Sequence, residues 1–202
     1  MTDALDKNRD NEVPLEKKLD DLYKLIDGIE TAMVTTRRAD GHLVSRAMQT
    51  QRRTSGTDLW FMTNAESEKF EEIALDQNVN VAYYKDRTRE WVSVSGKAIL
   101  TQDRDLIRGL YKPDWKAWFK AAEGTDDERA GTAEDPNIAL ILVEAQAVSY
   151  YKSDRPLPLV LFDVARAMMG GPAPKLGDQR EITADEPRAE ARRHQSENEL
   201  RS

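Results

Sequence analysis

This chain of 202 residues contains no cysteine. Disulfides, thiolate metal sites, thiol redox chemistry and a cysteine nucleophile are therefore excluded. Histidine is scarce as well: His42 follows Asp40-Gly41 in a turn-like stretch, and His194 lies in a polar tail. A histidine-based zinc site or a histidine-dependent triad has no material to work with. No metal ligand and no protein general base is nominated. No apolar run approaches the ~20 residues of a membrane helix. The opening stretch MTDALDKNRDNE lacks the apolar centre of a signal peptide. Basic residues are outnumbered: the net charge is −7, with no basic stripe to attract nucleic acid or an anionic membrane surface. No glycine-rich phosphate loop follows any strand-like stretch, so neither a Rossmann nor a Walker-type nucleotide site is supported. The expectation is a cytoplasmic protein that binds neither nucleic acid nor membrane.

What is present is enough for one modest core. Hydrophobic residues make up 39% and charged ones 33%, with the polarity gathered at the two ends. The length predicts one domain plus an extension. Residues 1–13 read as a disordered N-terminus, 14–171 as the folded domain with a C-terminal helix, and 172–202 as a disordered charged tail without an aromatic residue. Within the domain, Leu15, Leu19, Leu22 and Ile26 share one face of a helix that begins at Pro14 and stops at Gly28. Strands are read over 31–38, 43–53, 58–63, 78–85, 90–101 and 137–151, with Asp40-Gly41 closing the first hairpin. A helix follows Ser67 to about Gln77, 103–119 reads as helix broken at Pro113, and 157–169 as a terminal helix. Six strands, mainly in hairpins, favour a closed or nearly closed antiparallel barrel, which leaves few exposed edges.

The segment LWFMTNAESEKFEEI, Leu59 to Ile73, carries the chemistry. An apolar strand hands over to a helix whose start bears Ser67 and Lys69. A helix N-terminus exposes free N–H groups and partial positive charge, which suits an anion. Arg46, mid-strand in VSRAMQTQ, could add a bidentate contact to a phosphate. Each residue has a plainer role: Ser67 as an N-cap, Lys69 as a solvated surface cation, Arg46 in a salt bridge. Trp91 falls on the polar face of its strand, opposite Val92 and Val94, and serves either core, interface or ligand stacking.

In this order and spacing, SRAMQTQ, LWFMTNAESEK and EWVSVSG resemble the FMN-binding split-barrel superfamily typified by pyridoxamine 5′-phosphate oxidases, and within it the general stress protein branch. The resemblance covers Leu15 to Tyr151. It implies mainly β structure with α: a six-stranded antiparallel Greek-key split β-barrel with flanking helices, forming a homodimer with FMN at the subunit interface. FAD is the alternative cofactor. Arg46 and Lys69 would hold the phosphate, with Ser67 assisting. Ala47, Met48, Gln49 and Gln51 would line the ring and ribityl chain, Met62 and Thr63 would complete that wall, and Trp91 would approach the flavin.

Three positions depart from the oxidases: Glu68 replaces a basic residue, Gln51 a phosphate-binding lysine, and Trp91 a glutamine. The C-terminal substrate motif bearing Arg and His is also missing. The resemblance therefore implies a flavin-binding stress protein, either an FMN-dependent oxidoreductase or a flavin-holding protein, and not a true pyridoxamine phosphate oxidase. Two other readings remain: a non-enzymatic dimeric barrel for another planar ligand, such as haem or a deazaflavin, and an interaction protein that docks through its acidic loop at 121–136 and its tail.

Overall fold

The computed structural model describes residues 12–51, 59–119, 128–153, 157–171 and 177–183. The first eleven residues, residues 52–58 and 184–202, with Arg193 and His194, lie outside the described residues. So do residues 120–127, which hold the first part of the acidic stretch 121–136.

The chain order is α1 (Leu15–Asp27), β1 (Thr31–Arg37), β2 (Leu43–Gln49), β3 (Leu59–Asn64), α2 (Glu68–Leu75), β4 (Asn78–Lys85) and β5 (Glu90–Thr101). Then come α3 (Arg104–Leu110), a 3-10 helix (Pro113–Ala117), β6 (Ile138–Lys152), α4 (Leu157–Met168) and β7 (Asp178–Thr183). The strands form one seven-stranded antiparallel sheet in the order β2-β1-β4-β5-β6-β3, with β7 added on β6. The expected barrel is thus seven-stranded rather than six-stranded, and it is not closed. The end strands β2 and β3 are joined, among the described residues, by the bridge Thr50↔Phe61 and the bond from Gln51 N to Trp60 O at 2.8 Å. Among the described residues, no helix is long and apolar enough to cross a membrane.

Two compact units divide the chain. The first takes the described parts of Met1–Ile29, Ala82–Val94 and Ala147–Ser202. Its α1 buries Leu22, Leu25 and Ile26, and β7 pairs with the second half of β6 in the register Val148↔Ile182 and Tyr150↔Arg180. Composition had assigned Asp178–Thr183 to a disordered tail. The strand forms because Ile182 and Arg180 both have buried places to go. Arg180 pairs with the buried Asp21 carboxylate, which also receives Lys152 at 2.9 Å. The Tyr150 hydroxyl donates to the Lys18 carbonyl at 3.0 Å.

The second unit takes Glu30–Val81 and Ser95–Gln146. Here β1 and β2 pair from Thr31↔Gln49 to Arg37↔Leu43, and β3 lies on the first half of β6, Leu59↔Val143 to Asn64↔Ile138. Trp60, Ile107, Leu110, Trp115, Phe119, Ile138 and Leu140 make its aromatic-rich core. Asp103 caps α3, accepting from the backbone N–H groups of Asp105 at 2.9 Å and Leu106 at 3.2 Å. Arg104 pins that helix to the start of β6 by donating to the Asp135 and Ile138 carbonyls at 2.7 and 2.8 Å.

Candidate functional site

Because β2 and β3 are the two free ends of the sheet path, a seam runs between them, bridged at one end only. A cavity of about 310 Å³ sits in this seam, at the small end of the ~300–1,000 Å³ typical of ligand sites. One wall is Ala47, Met48, Gln49 and Gln51; a second is Met62, Thr63 and Asn64, with Lys69 beyond it. The third wall comes from the 3-10 helix and the residues just after it: Asp114, Trp115, Trp118 and Phe119.

Seven of the ten residues expected at the site therefore face one cavity: Ala47, Met48, Gln49, Gln51, Met62, Thr63 and Lys69. Arg46, Ser67 and Trp91 do not line it. Arg46 is committed elsewhere. Its guanidinium forms a fork with the Glu72 carboxylate, Nη1 to Oε2 at 2.7 Å and Nη2 to Oε1 at 2.9 Å, and reaches Glu68 at 3.4 Å. Thr36 closes the network: its hydroxyl accepts from Arg46 at 3.0 Å and donates to Glu72 at 2.6 Å. The salt-bridge role is the one observed, and the reason is the buried Glu72, a carboxylate that must be paired.

Ser67 stands at the N-cap of α2 but makes no side-chain cap bond. Its hydroxyl donates to the Asn64 carbonyl at 2.6 Å and lies 3.1 Å from the Thr63 hydroxyl. It shapes the turn that delivers Lys69. Trp91 belongs to the first unit, half-buried on the face of β5 opposite the buried Val92 and Val94. His42 is an exposed residue of the β1–β2 turn, 3.1 Å from Asp40.

Lys69 differs from all of these. It is half-buried and makes no hydrogen bond or ion pair with another described residue. Burial pushes its pKa down, and the neighbouring Arg46 charge pushes it further the same way, against the weaker pull of Glu72 and Glu68. An ammonium held in that state gains from an anion. Four side chains surround this end of the seam: Arg46 and Lys69 against Glu68 and Glu72. The carboxylates spend their charge on Arg46, which leaves Lys69 as the cation that faces the cavity among the described residues.

The remaining walls suit a flat ligand with polar edges. Met48, Trp115 and Phe119 are buried, and Trp118 is 78% exposed although it lines the cavity. Gln51 is 5% exposed; its amide Nε2 donates to the Gln49 carbonyl at 3.0 Å. The alternation of an antiparallel ladder turns the backbone groups of Ala47 away from β1 and toward the seam. Asn64, Asp114, Trp115, Trp118 and Phe119 were not foreseen as site residues. Asn64 lies within the quoted LWFMTNAESEK stretch; the signal for the other four was the aromatic density of PDWKAWF, Pro113 to Phe119, in a stretch read only as interrupted helix. What fixes that stretch is far away in sequence: Gly131, at φ +70°, lies where a Cβ would come within 2.8 Å of Lys116 Cα and the Phe119 carbonyl.

Comparison with known proteins bears on both fold and site. A family model described as pyridoxamine 5′-phosphate oxidase like matches residues 17–175. Protein bli-3 of Neurospora crassa is 36% identical over 182 residues, spanning 89% of this chain and 86% of that protein. A general stress protein 26 from Jannaschia superposes with TM-score 0.64 at 17% identity, over 84% of this chain and 99% of its own. The general stress FMN/FAD binding protein of Xanthomonas citri superposes with TM-score 0.55 at 24% identity, over 70% of this chain and 93% of its own. At these identities the two structures establish the fold alone.

Proposed function

Because this chain belongs to the pyridoxamine 5′-phosphate oxidase-like family, we propose that the seam cavity is a flavin site. FMN is the cofactor, with FAD as the alternative, and its phosphate lies toward Lys69. The observation that carries this reading is the half-buried Lys69 ammonium, without a direct partner among the described residues, at the rim of a cavity walled by Met48, Met62, Trp115 and Phe119. A dianionic phosphate, a polyol and a flat ring with polar edges match in turn the ammonium, the free strand edge and the apolar walls.

A bound flavin supplies reversible electron transfer. The chain's own residues bind and orient it. Lys69 neutralises the phosphate, and Glu72 holds Arg46 beside it so that the second positive charge acts at one remove. Met48, Trp115 and Phe119 exclude water from the ring, and Trp118 offers an exposed aromatic face for stacking. No general base is required of the protein. We propose a cytoplasmic homodimer in which the partner subunit completes the open side of the cavity; the high exposure of Trp118 on its wall supports this. We propose further that the protein is a flavin-dependent oxidoreductase of the general stress type. The low count of cations at the phosphate end, and the departures at Gln51 and Glu68, argue against pyridoxamine phosphate oxidation.

The test is uptake. Purified full-length chain titrated with FMN is expected to quench flavin fluorescence and shift its visible absorption. No uptake up to about millimolar FMN, the weak end of the affinity scale, would contradict the reading. Anaerobic mixing of the loaded protein with NADPH or NADH then separates an oxidoreductase, whose flavin bleaches, from a flavin-holding protein, whose flavin does not.

A further inference from the structure

We propose that the side-chain carbonyl of Gln51 is the acceptor for the ring imide N–H of the flavin, so that the cavity selects flavins with a free N3–H over N3-alkylated ones. This rests on the flavin reading above. Gln51 is buried, at 5% exposure, and lines the cavity. Its amide has a fixed sense: Nε2 donates to the Gln49 carbonyl at 3.0 Å, and a flipped amide would set two carbonyl oxygens against each other. Its backbone is fixed too, by the bond from its N–H to Trp60 O at the closed end of the seam. Yet the buried Oε1 receives no hydrogen bond from any described residue. Buried acceptors in native proteins are nearly always paired, and each exception calls for a reason. A donor on the ligand is the reason the cavity offers.

The register says which donor. The bridge Thr50↔Phe61 aligns the two walls, so that Ala47 lies across from Asn64, near the end where α2 begins and Lys69 stands. The four steps from Ala47 to Gln51 carry the strand about 13 Å toward the opposite end. A phosphate at Lys69 leaves the polyol in the middle of the seam and the ring at the Gln51 end. An oxidised flavin ring bears one N–H donor, the imide between its two carbonyls. The lysine that Gln51 replaces in the oxidases was expected at the phosphate, but Gln51 lies at the bridged end of the seam, away from Lys69; a lysine here could only donate. Glutamine, with its amide oriented by the Gln49 carbonyl, presents Oε1 as an acceptor.

The experiment compares FMN with N3-methyl-FMN on the full chain and on Gln51→Leu and Gln51→Glu, by flavin fluorescence. Wild type is expected to bind the methylated ligand at least about tenfold more weakly. Gln51→Leu should weaken FMN to near that level, so the two ligands come within about threefold. Gln51→Glu, which keeps an acceptor but turns its second carboxylate oxygen against the Gln49 carbonyl, should bind both ligands more weakly and still keep the preference. Equal binding of the two ligands by wild type overturns the proposal. So does a full preference in Gln51→Leu, which would mean simple steric exclusion. If Gln51→Leu fails to fold, the wild-type and Gln51→Glu results decide. If wild type binds neither ligand, the flavin reading falls first, and this proposal with it.

Discussion

At the scale of the residue, the two cations near the start of α2 differ. Arg46 serves the fold, and Lys69 has no direct partner among the described residues. Glu72 decides the division. A carboxylate whose side chain is 7% exposed needs charge compensation, and the guanidinium, 24% exposed, supplies it in a two-point contact. The hydrogen bond from Arg46 holds the Glu72 pKa below the ordinary carboxylate range, overcoming burial, with help from the Thr36 hydroxyl. A depressed carboxylate pKa adds stability above the unfolded value of about 4.3, and that stability is lost as pH falls through the lower folded value. Glu72→Ala is expected to lower the unfolding free energy by about 2 kcal/mol at neutral pH, discounted for the partly exposed Arg46. The deficit should shrink below about pH 4, where wild type loses the same pair. Urea midpoints at pH 7 and pH 3 check this; a deficit unchanged with pH would refute it. The sequence offered Arg46 equally as salt bridge or ligand contact, because Glu72 comes near it only when α2 packs on the β1–β2 hairpin. The family resemblance placed Lys69 and the residues Ala47, Met48, Gln49 and Gln51 together, and they do line one cavity.

At the scale of the element, local patterning carried most of the fold. The alternation of β4 and β5 and the apolar stripe of α1 placed those elements within a residue or two. The misses were non-local. β7 has too few apolar residues to declare itself; it exists because β6 runs past the end of β3 and offers a further edge to pair. The aromatic wall from Trp115 to Phe119 depends on Gly131, on the Tyr111 hydroxyl bonded to the Gly131 carbonyl at 2.9 Å, and on the edge-to-face contact of Tyr111 with Trp115 at 5.7 Å. Gly96, in the EWVSVSG stretch, shows the same dependence. A Cβ there would collide with the backbone carbonyl of Glu144 on β6, which cannot swing aside as a side chain can. Gly96→Ala is therefore expected to cost about 2 kcal/mol or more. A thermal melt within about 1 °C of wild type, where a loss of this size should move the midpoint by several degrees, would show that the strands do not approach so closely.

At the scale of the whole molecule, one ion cluster ties β7 to α1 and β6. The buried Asp21 is driven up by burial and brought down overall by Lys152 and Arg180, so its pKa lies below the ordinary range. Arg180 is on β7. A chain cut after Thr183 should keep wild-type stability and ligand uptake, whereas a cut after Gly171 removes Arg180 and the covering Ile182. That second cut should lower stability by about 3 kcal/mol or more, through a buried carboxylate that has lost a partner. Circular dichroism melts of the two truncations test this, and equal melting points would show β7 to be dispensable.

The central claim is that a phosphate-bearing flavin enters the β2–β3 seam with Lys69 as its anion contact. The direct measurement is a titration of wild type and Lys69→Ala with FMN and with riboflavin, read by flavin fluorescence. The account predicts that Lys69→Ala weakens FMN by at least about tenfold while riboflavin changes by less than about threefold. Equal losses for the two ligands, or undiminished FMN affinity in the variant, would contradict it.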